Sequence, residues 1–273
     1  MKRLLKTVVK KVLGEKRARQ YYGLVRLEVF SLRLVNRRLS RDDRMGKLRS
    51  LADYESRVTS ENGEDGIIQA IFEKIGTTNK FCVELGSEDG MQCNTAYLVK
   101  KRRWSHLWLD ACTYGSKLAQ EEWITAENVN HLLIKYGIPR EFDLLSIDID
   151  YNTYWVWRAI RGFEPRVVII EYNASLGPSE ALVVPYEPYA AWDGRSNFYG
   201  ASLGALVKLG TEKGYTLIYC ESKGVNAFFV KDELKENFMF QSTEQIYRPP
   251  GFGKKANGRF VGYPPSERSF IKL

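Results

Sequence analysis

Three short stretches of this 273-residue chain bring together side chains that can do chemistry. The first is Glu84-Leu-Gly86-Ser87-Glu88-Asp89-Gly90, a glycine-punctuated acidic loop behind the apolar run Phe81–Leu85. Glycines at such a place allow a tight turn and let a ligand approach the backbone. Three carboxylates in the loop would repel a pyrophosphate. They suit a cofactor whose charged end is cationic, and S-adenosylmethionine, with a sulfonium and an ammonium group, meets that description. The second is Asp110, which ends the run His106–Asp110. A carboxylate about 20 residues past a glycine loop is placed to accept hydrogen bonds from ribose hydroxyls, or else caps its own strand. The third is the pair Asp148-Ile-Asp150 and Glu171-Tyr-Asn173. Strand alternation puts Asp148 with Asp150 on one side and Glu171 with Asn173 on one side. If the two strands are neighbours, four oxygen-bearing side chains converge. Hard oxygen ligands suit Mg²⁺ or Mn²⁺ rather than zinc. The same set equally makes a metal-free acidic crevice with one carboxylate as general base.

These residues need a scaffold that ends several strands at one edge. Apolar runs at 81–85, 106–110, 142–150, 166–172, 215–219 and 227–230 read as strands. Helical stretches at 67–75, 95–101, 126–136, 153–160 and 202–213 lie between most of them. The alternation predicts an α/β fold, a doubly wound, mostly parallel sheet. The short link 221–225 predicts an antiparallel hairpin from the last two strands at one edge. Ligands in such sheets bind at the carboxyl ends of the strands. Aromatic residues follow the third strand: Tyr151, Tyr154, Trp155 and Trp157 either line a sugar-stacking cleft or pack the helix. Tyr186, Tyr189, Trp192 and Asp193 lie in a long loop of the kind that forms substrate pockets. The Gly-, Pro- and aromatic-rich tail, 248–273, reads as ordered loop packed on the domain.

Composition limits the alternatives. A hydrophobic fraction of 44% and a charged fraction of 27% describe globular material, not a disordered or disulfide-stapled chain. Cys82, Cys93, Cys112 and Cys220 form no CxxC pair and read as reduced thiols of a cytoplasmic protein. Two histidines exclude a His-rich zinc site. No apolar run reaches membrane-spanning length. The N-terminus begins like a signal peptide, but Lys6, Lys10 and Lys11 interrupt the apolar core that one requires. The first 45 residues hold 14 Lys+Arg and 4 Asp+Glu, a net of +10 against +8 for the chain, so the remainder nets −2. Residues 1–50 therefore read as a basic helical arm. It either lies on the anionic inner face of a membrane or packs against the domain or a second copy of the chain. The acidic site argues against nucleic acid as a partner.

Asn62-Gly-Glu-Asp-Gly66, the loop 83–90 with Asn94-Thr95, Leu107–Asp110, Asp143–Asp150 and Val168–Ala174 occur in an order that resembles FkbM-like S-adenosylmethionine-dependent methyltransferases. The likeness covers roughly residues 58–232, within a domain read as 58–247. It implies a Rossmann-like class I methyltransferase fold and methylation of a hydroxyl, often that of a glycan, surface polysaccharide or lipid-linked saccharide. It implies that Glu84, Gly86 and Gly90 hold the methionine moiety, with Ser87 and Asn94 beside them. Asp110 would hold the ribose, and Asp148 and Asp150 would lie beside the methyl group. Asp148, Asp150 and Tyr154 become candidate catalytic residues. Asp148, Asp150, Glu171 and Asn173 become candidate metal ligands, an arrangement similar to that of catechol-type O-methyltransferases. The resemblance also implies Gly at 151 and an acid at 153, where this chain has Tyr and Thr. That departure motivates an alternative, a binding or scaffolding module that keeps the fold and works through its basic arm.

Overall fold

The computed structural model describes residues 38–253 and 255–273. The expectations for the basic arm up to residue 37 therefore fall outside the described residues. Seven strands form one sheet: β1 (Phe81–Leu85), β2 (Ser105–Asp110), β3 (Ala119–Glu121), β4 (Glu141–Ile147), β5 (Glu164–Glu171), β7 (Tyr215–Cys220) and β8 (Asn226–Lys231). A two-residue strand, β6 (Leu182–Val183), pairs antiparallel with Ile271–Lys272 near the C-terminus. The sheet order is β3-β2-β1-β4-β5-β8-β7, parallel except for β8, which runs against both β5 and β7. The expected α/β architecture and its antiparallel edge hairpin are both present. The edge strand β3 was not expected. Its three residues are too few to show an alternation.

The helices are α1 (Arg41–Met45), α2 (Glu64–Ile75), α3 (Ala96–Arg102), α4 (Val129–Lys135), α5 (Thr153–Ala159), α6 (Leu203–Glu212) and α7 (Thr243–Ile246). The strands are buried on both faces, as parallel strands must be once helices cover both sides. Val83, Leu85, Leu145, Ile147, Val168 and Ile170 enter one core with Leu132 and Leu133 of α4, Val156 and Trp157 of α5, and Leu206 and Leu209 of α6. Their chain neighbours Cys82, Leu144, Val167 and Ile169 enter a second core with Ile67, Ile68 and Ile71 of α2. The period of two along each strand thus divides one apolar run between two cores.

Two boundaries differ from the sequence reading. Leu39, Leu48, Leu51 and Tyr54 are buried in the second core. Residues 38–54 therefore belong to the domain rather than to a separate arm. The third strand ends at Ile147, not Asp150, so Asp148-Ile-Asp150 is a turn at the strand end. The tail packs on the domain as expected, with Phe270 against Phe198. Among the described residues no helix is long and apolar enough to cross a membrane.

Candidate functional site

The chain runs outward from β1 through β2 to β3, then crosses back to lay β4 on the other side of β1. A crevice at the carboxyl ends of the strands follows from that reversal. It is there, with a volume of about 510 Å³, within the range of small-molecule sites. Its wall includes Glu61, Glu64, Glu84, Glu88, Asp110, Glu122, Asp148, Asp150 and Glu171 and, among the described residues, no lysine, arginine or histidine.

The ladder hydrogen bonds run on past the strand ends and fix the first loop. Gly86 and Ser87 N–H donate to the Leu109 carbonyl, and Asp148 N–H donates to the Leu85 carbonyl. Gly86 has φ of 90°, and a Cβ there would lie 1.7 Å from the Asp148 carbonyl oxygen. Only glycine lets the loop after β1 lie against the turn after β4. Gly90 plays a different part from the one expected. It has φ of 73°, and a Cβ there would strike the Trp108 ring. It makes room for the indole, whose Nε1 donates to Thr95 Oγ1, and it is not on the cavity wall.

Glu84 is fully buried, with its carboxylate accepting from Asn94 N–H (3.1 Å) and Thr95 N–H (2.7 Å) at the start of α3. Asn94 Nδ2 in turn donates to Ser146 Oγ. Burial pushes the Glu84 carboxyl above its ordinary value, and the hydrogen bonds from Thr95, Ser146 and Asn94 oppose that. Asp110 accepts from Glu88 N–H (2.8 Å) through one oxygen and from Cys112 N–H (2.9 Å) through the other. Both acids hold their loops in place and face the cavity. Ser87 is also on the wall.

Across the cavity the carboxylates are unsupported. Asp148, Asp150 and Glu171 bring one oxygen each to within 4.8 Å of one another. Among the described residues no cationic side chain pairs with them. Burial, then Asp150 and Glu84, hold the Asp148 carboxyl well above the carboxylate range. Burial, then Asp148 and Asp150, do the same for Glu171. Asp150 is more open, yet it too is raised, by burial and by Glu88 and Asp110. Its φ of 58° is left-handed, a conformation that short polar residues tolerate best among non-glycines. Three like charges this close favour retention of a proton or capture of a cation. Glu171 Oε2 is buried without a partner, so the donor set fits a hard divalent cation.

Two candidates do not belong to the site. β5 ends at Glu171, so alternation no longer applies at Asn173. The Asn173 side chain is fully buried, donating to the Asn197 and Tyr199 carbonyls and accepting from Ser175 N–H. It lies outside the carboxylate cluster. Tyr154 lies on the inward face of α5, buried in the first core with its ring on Trp155. Tyr151 also turns away, packing with Val184 and Phe198. Its φ is not left-handed. Trp157 is core.

Sequence reasoning missed several wall residues. Glu64 and Asn62 belong to a motif that entered the resemblance but was given no role at the site. Asn226 opens β8 and lies opposite Glu171 in the β5–β8 register, a neighbourhood that depends on the reversed strand. Trp192 of the long loop is on the wall as expected, together with Tyr199, Phe252 and Tyr263. Seven buried side-chain polar atoms lack a partner among the described residues. Four belong to cavity residues: Ser87 Oγ, Asn152 Oδ1, Glu171 Oε2 and Asn226 Oδ1. Buried polar groups are normally satisfied, so these four atoms are open to hydrogen bonds from a ligand or ordered water. No family model matches the chain, and no curated protein matches it.

Proposed function

We propose that the protein is an S-adenosylmethionine-dependent O-methyltransferase acting on a sugar hydroxyl of a glycan or lipid-linked saccharide. The observation that carries this reading is the charge of the crevice, nine carboxylates with no basic residue on the wall among the described residues. It disfavours pyrophosphate cofactors and favours a cofactor that brings positive charge to the β1 loop. The mostly parallel seven-stranded sheet with its antiparallel edge hairpin supports this reading.

The crevice divides the work. Glu84, Gly86, Ser87 and Asn94 form the β1 side, where the amino-acid end of the cofactor would lie, with Asp110 at the ribose. Ile124 and Trp123 extend that side. When bound, S-adenosylmethionine supplies a methyl group on a sulfonium leaving group. With no metal bound, Asp148 or Asp150 would take the proton of the acceptor hydroxyl as that oxygen forms its bond to the methyl carbon and the electron pair of the breaking bond returns to sulfur. A carboxyl raised toward neutrality by burial and like charges is suited to such a base. Asp148, Asp150 and Glu171 would hold a Mg²⁺ or Mn²⁺ ion, which lowers the pKa of a bound hydroxyl. The walls hold both reactants in line, the largest part of the work. Tyr151 does not enter the cavity, so that departure does not itself favour the alternative of a non-catalytic module.

The test is transfer of label from methyl-tritiated S-adenosylmethionine to a polysaccharide and lipid-linked saccharide extract. Base-stable label, as in an ether, is expected with the wild type and none with Asp150→Ala. No label with the wild type, or equal label with the variant, would overturn the assignment.

A further inference from the structure

The half of the cavity away from the β1 loop has its own chemistry. Asn226 and Glu171 are register partners on β8 and β5. Asn226 is 3% exposed and its Nδ2 donates to Glu64 Oε1 (2.9 Å). Glu64 is itself fully buried, and its second oxygen accepts from Asn62 N–H. The carboxylate of Glu64 can only accept here, so it fixes which way the Asn226 amide faces. Asn226 Oδ1 is left without a partner, next to the equally unpartnered Glu171 Oε2. Two adjacent strand ends thus present buried acceptors that no protein donor satisfies. The same cavity has an aromatic wall of Trp192, Tyr199 and Tyr263. Trp192 packs on Tyr263 at 4.6 Å and on Tyr199 at 5.1 Å. The Trp192 Nε1 is tied to the Ser196 carbonyl (2.7 Å), which fixes the indole.

We infer that this half of the cavity is the acceptor subsite, built for a saccharide unit that carries hydroxyl or amino donors and no negative charge, with Asn226 and Trp192 as its specificity-determining residues. The inference rests on the methyltransferase reading above. Donors on the sugar satisfy Asn226 Oδ1, and Glu171 Oε2 where no cation occupies it, and its apolar ring face stacks on Trp192. A uronate, sulfate or phosphate brought here would meet acceptor-only groups and the Asp148–Asp150–Glu171 cluster. An unpaired buried anion is rejected far more strongly than a missing methylene.

The experiment is binding of the S-adenosylhomocysteine-loaded protein to a glycan panel with matched neutral, amino-bearing and anionic members. The bound glycans are expected to end in neutral or amino-bearing units, with the matched anionic members bound at least about 100-fold more weakly, about 2.8 kcal/mol. Trp192→Ala and Asn226→Ala should each lower glycan affinity about tenfold or more while leaving the affinity for S-adenosylhomocysteine intact. Trp192 lies in a loop, so its variant serves if Asn226→Ala fails to fold. Preference for anionic glycans, binding to none, or equal loss of both affinities in the variants would overturn the inference. Failure of S-adenosylhomocysteine to bind would instead overturn the methyltransferase reading beneath it.

Discussion

The two sides of the crevice hold the same residue type in opposite states. On the β1–β2 side, Glu84 and Asp110 each spend both oxygens on backbone N–H groups. On the β4–β5 side, Asp148, Asp150 and Glu171 face one another with no basic partner among the described residues. The first pair builds loops that a ligand leans on. The second group is left electrostatically unsatisfied, which costs stability and makes it reactive toward protons and cations. A buried carboxylate therefore does not define its own role. The donors around it do.

The contrast fails most visibly if Asp148→Asn behaves like Glu84→Ala. Asp148→Asn should lower methyl transfer by about 1,000-fold, within the range for loss of a general base, while thermal stability holds or rises because a mutually repelling charge is gone. Calorimetry beside the transfer assay reads both effects. Glu84→Ala should do the reverse to the fold, costing about 3 kcal/mol by stranding the buried N–H groups of Asn94 and Thr95, measurable by urea unfolding. Gly86→Ala should cost about 2 kcal/mol, because the new Cβ overpacks against backbone that cannot retreat.

The pH dependence sharpens the same distinction. Asp148 and Glu171 bind protons more tightly folded than unfolded. Their stabilising effect is complete below the ordinary carboxylate range, about pH 4, and is lost as pH rises toward their raised folded values. A divalent cation that replaces those protons should stabilise the fold more at about pH 8 than at about pH 5.5, by up to about 2.7 kcal/mol at 100 times its dissociation constant, read as a rise in melting temperature. Asp148→Asn should remove most of that rise. The smallest effect belongs to Tyr154→Phe. It should change stability by no more than about 0.5 kcal/mol and leave the acceptor KM unchanged in steady-state assays, because the ring sits in the core and off the cavity wall.

Much of this was legible in the sequence where local pattern and topology agree. The runs at 81–85, 106–110 and 166–172 read as buried strands because their flanks carry turn residues and their lengths suit strands. The glycine loop and the acids at 110, 148, 150 and 171 follow, since strand ends at one edge of a doubly wound sheet converge. Asn173 was misplaced because alternation was carried two residues beyond the end of β5. Tyr154 was misplaced because distance from a strand end says nothing about which face of α5 a residue takes. Asn226 was illegible for a third reason. Its place beside Glu171 depends on the reversed strand inserting between β5 and β7, a long-range pairing that no local period records. The orphaned atoms of Ser87, Asn152, Glu171 and Asn226 likewise exist only once the wall is assembled.

The most direct test of the central claim is isothermal titration of S-adenosylmethionine, S-adenosylhomocysteine and ATP into the purified chain, with and without Mg²⁺. Micromolar binding of the first two, about −8 kcal/mol, with no measurable binding of metal-free ATP, is the predicted result. Binding of ATP alone, or of none of the three under either condition, would contradict it.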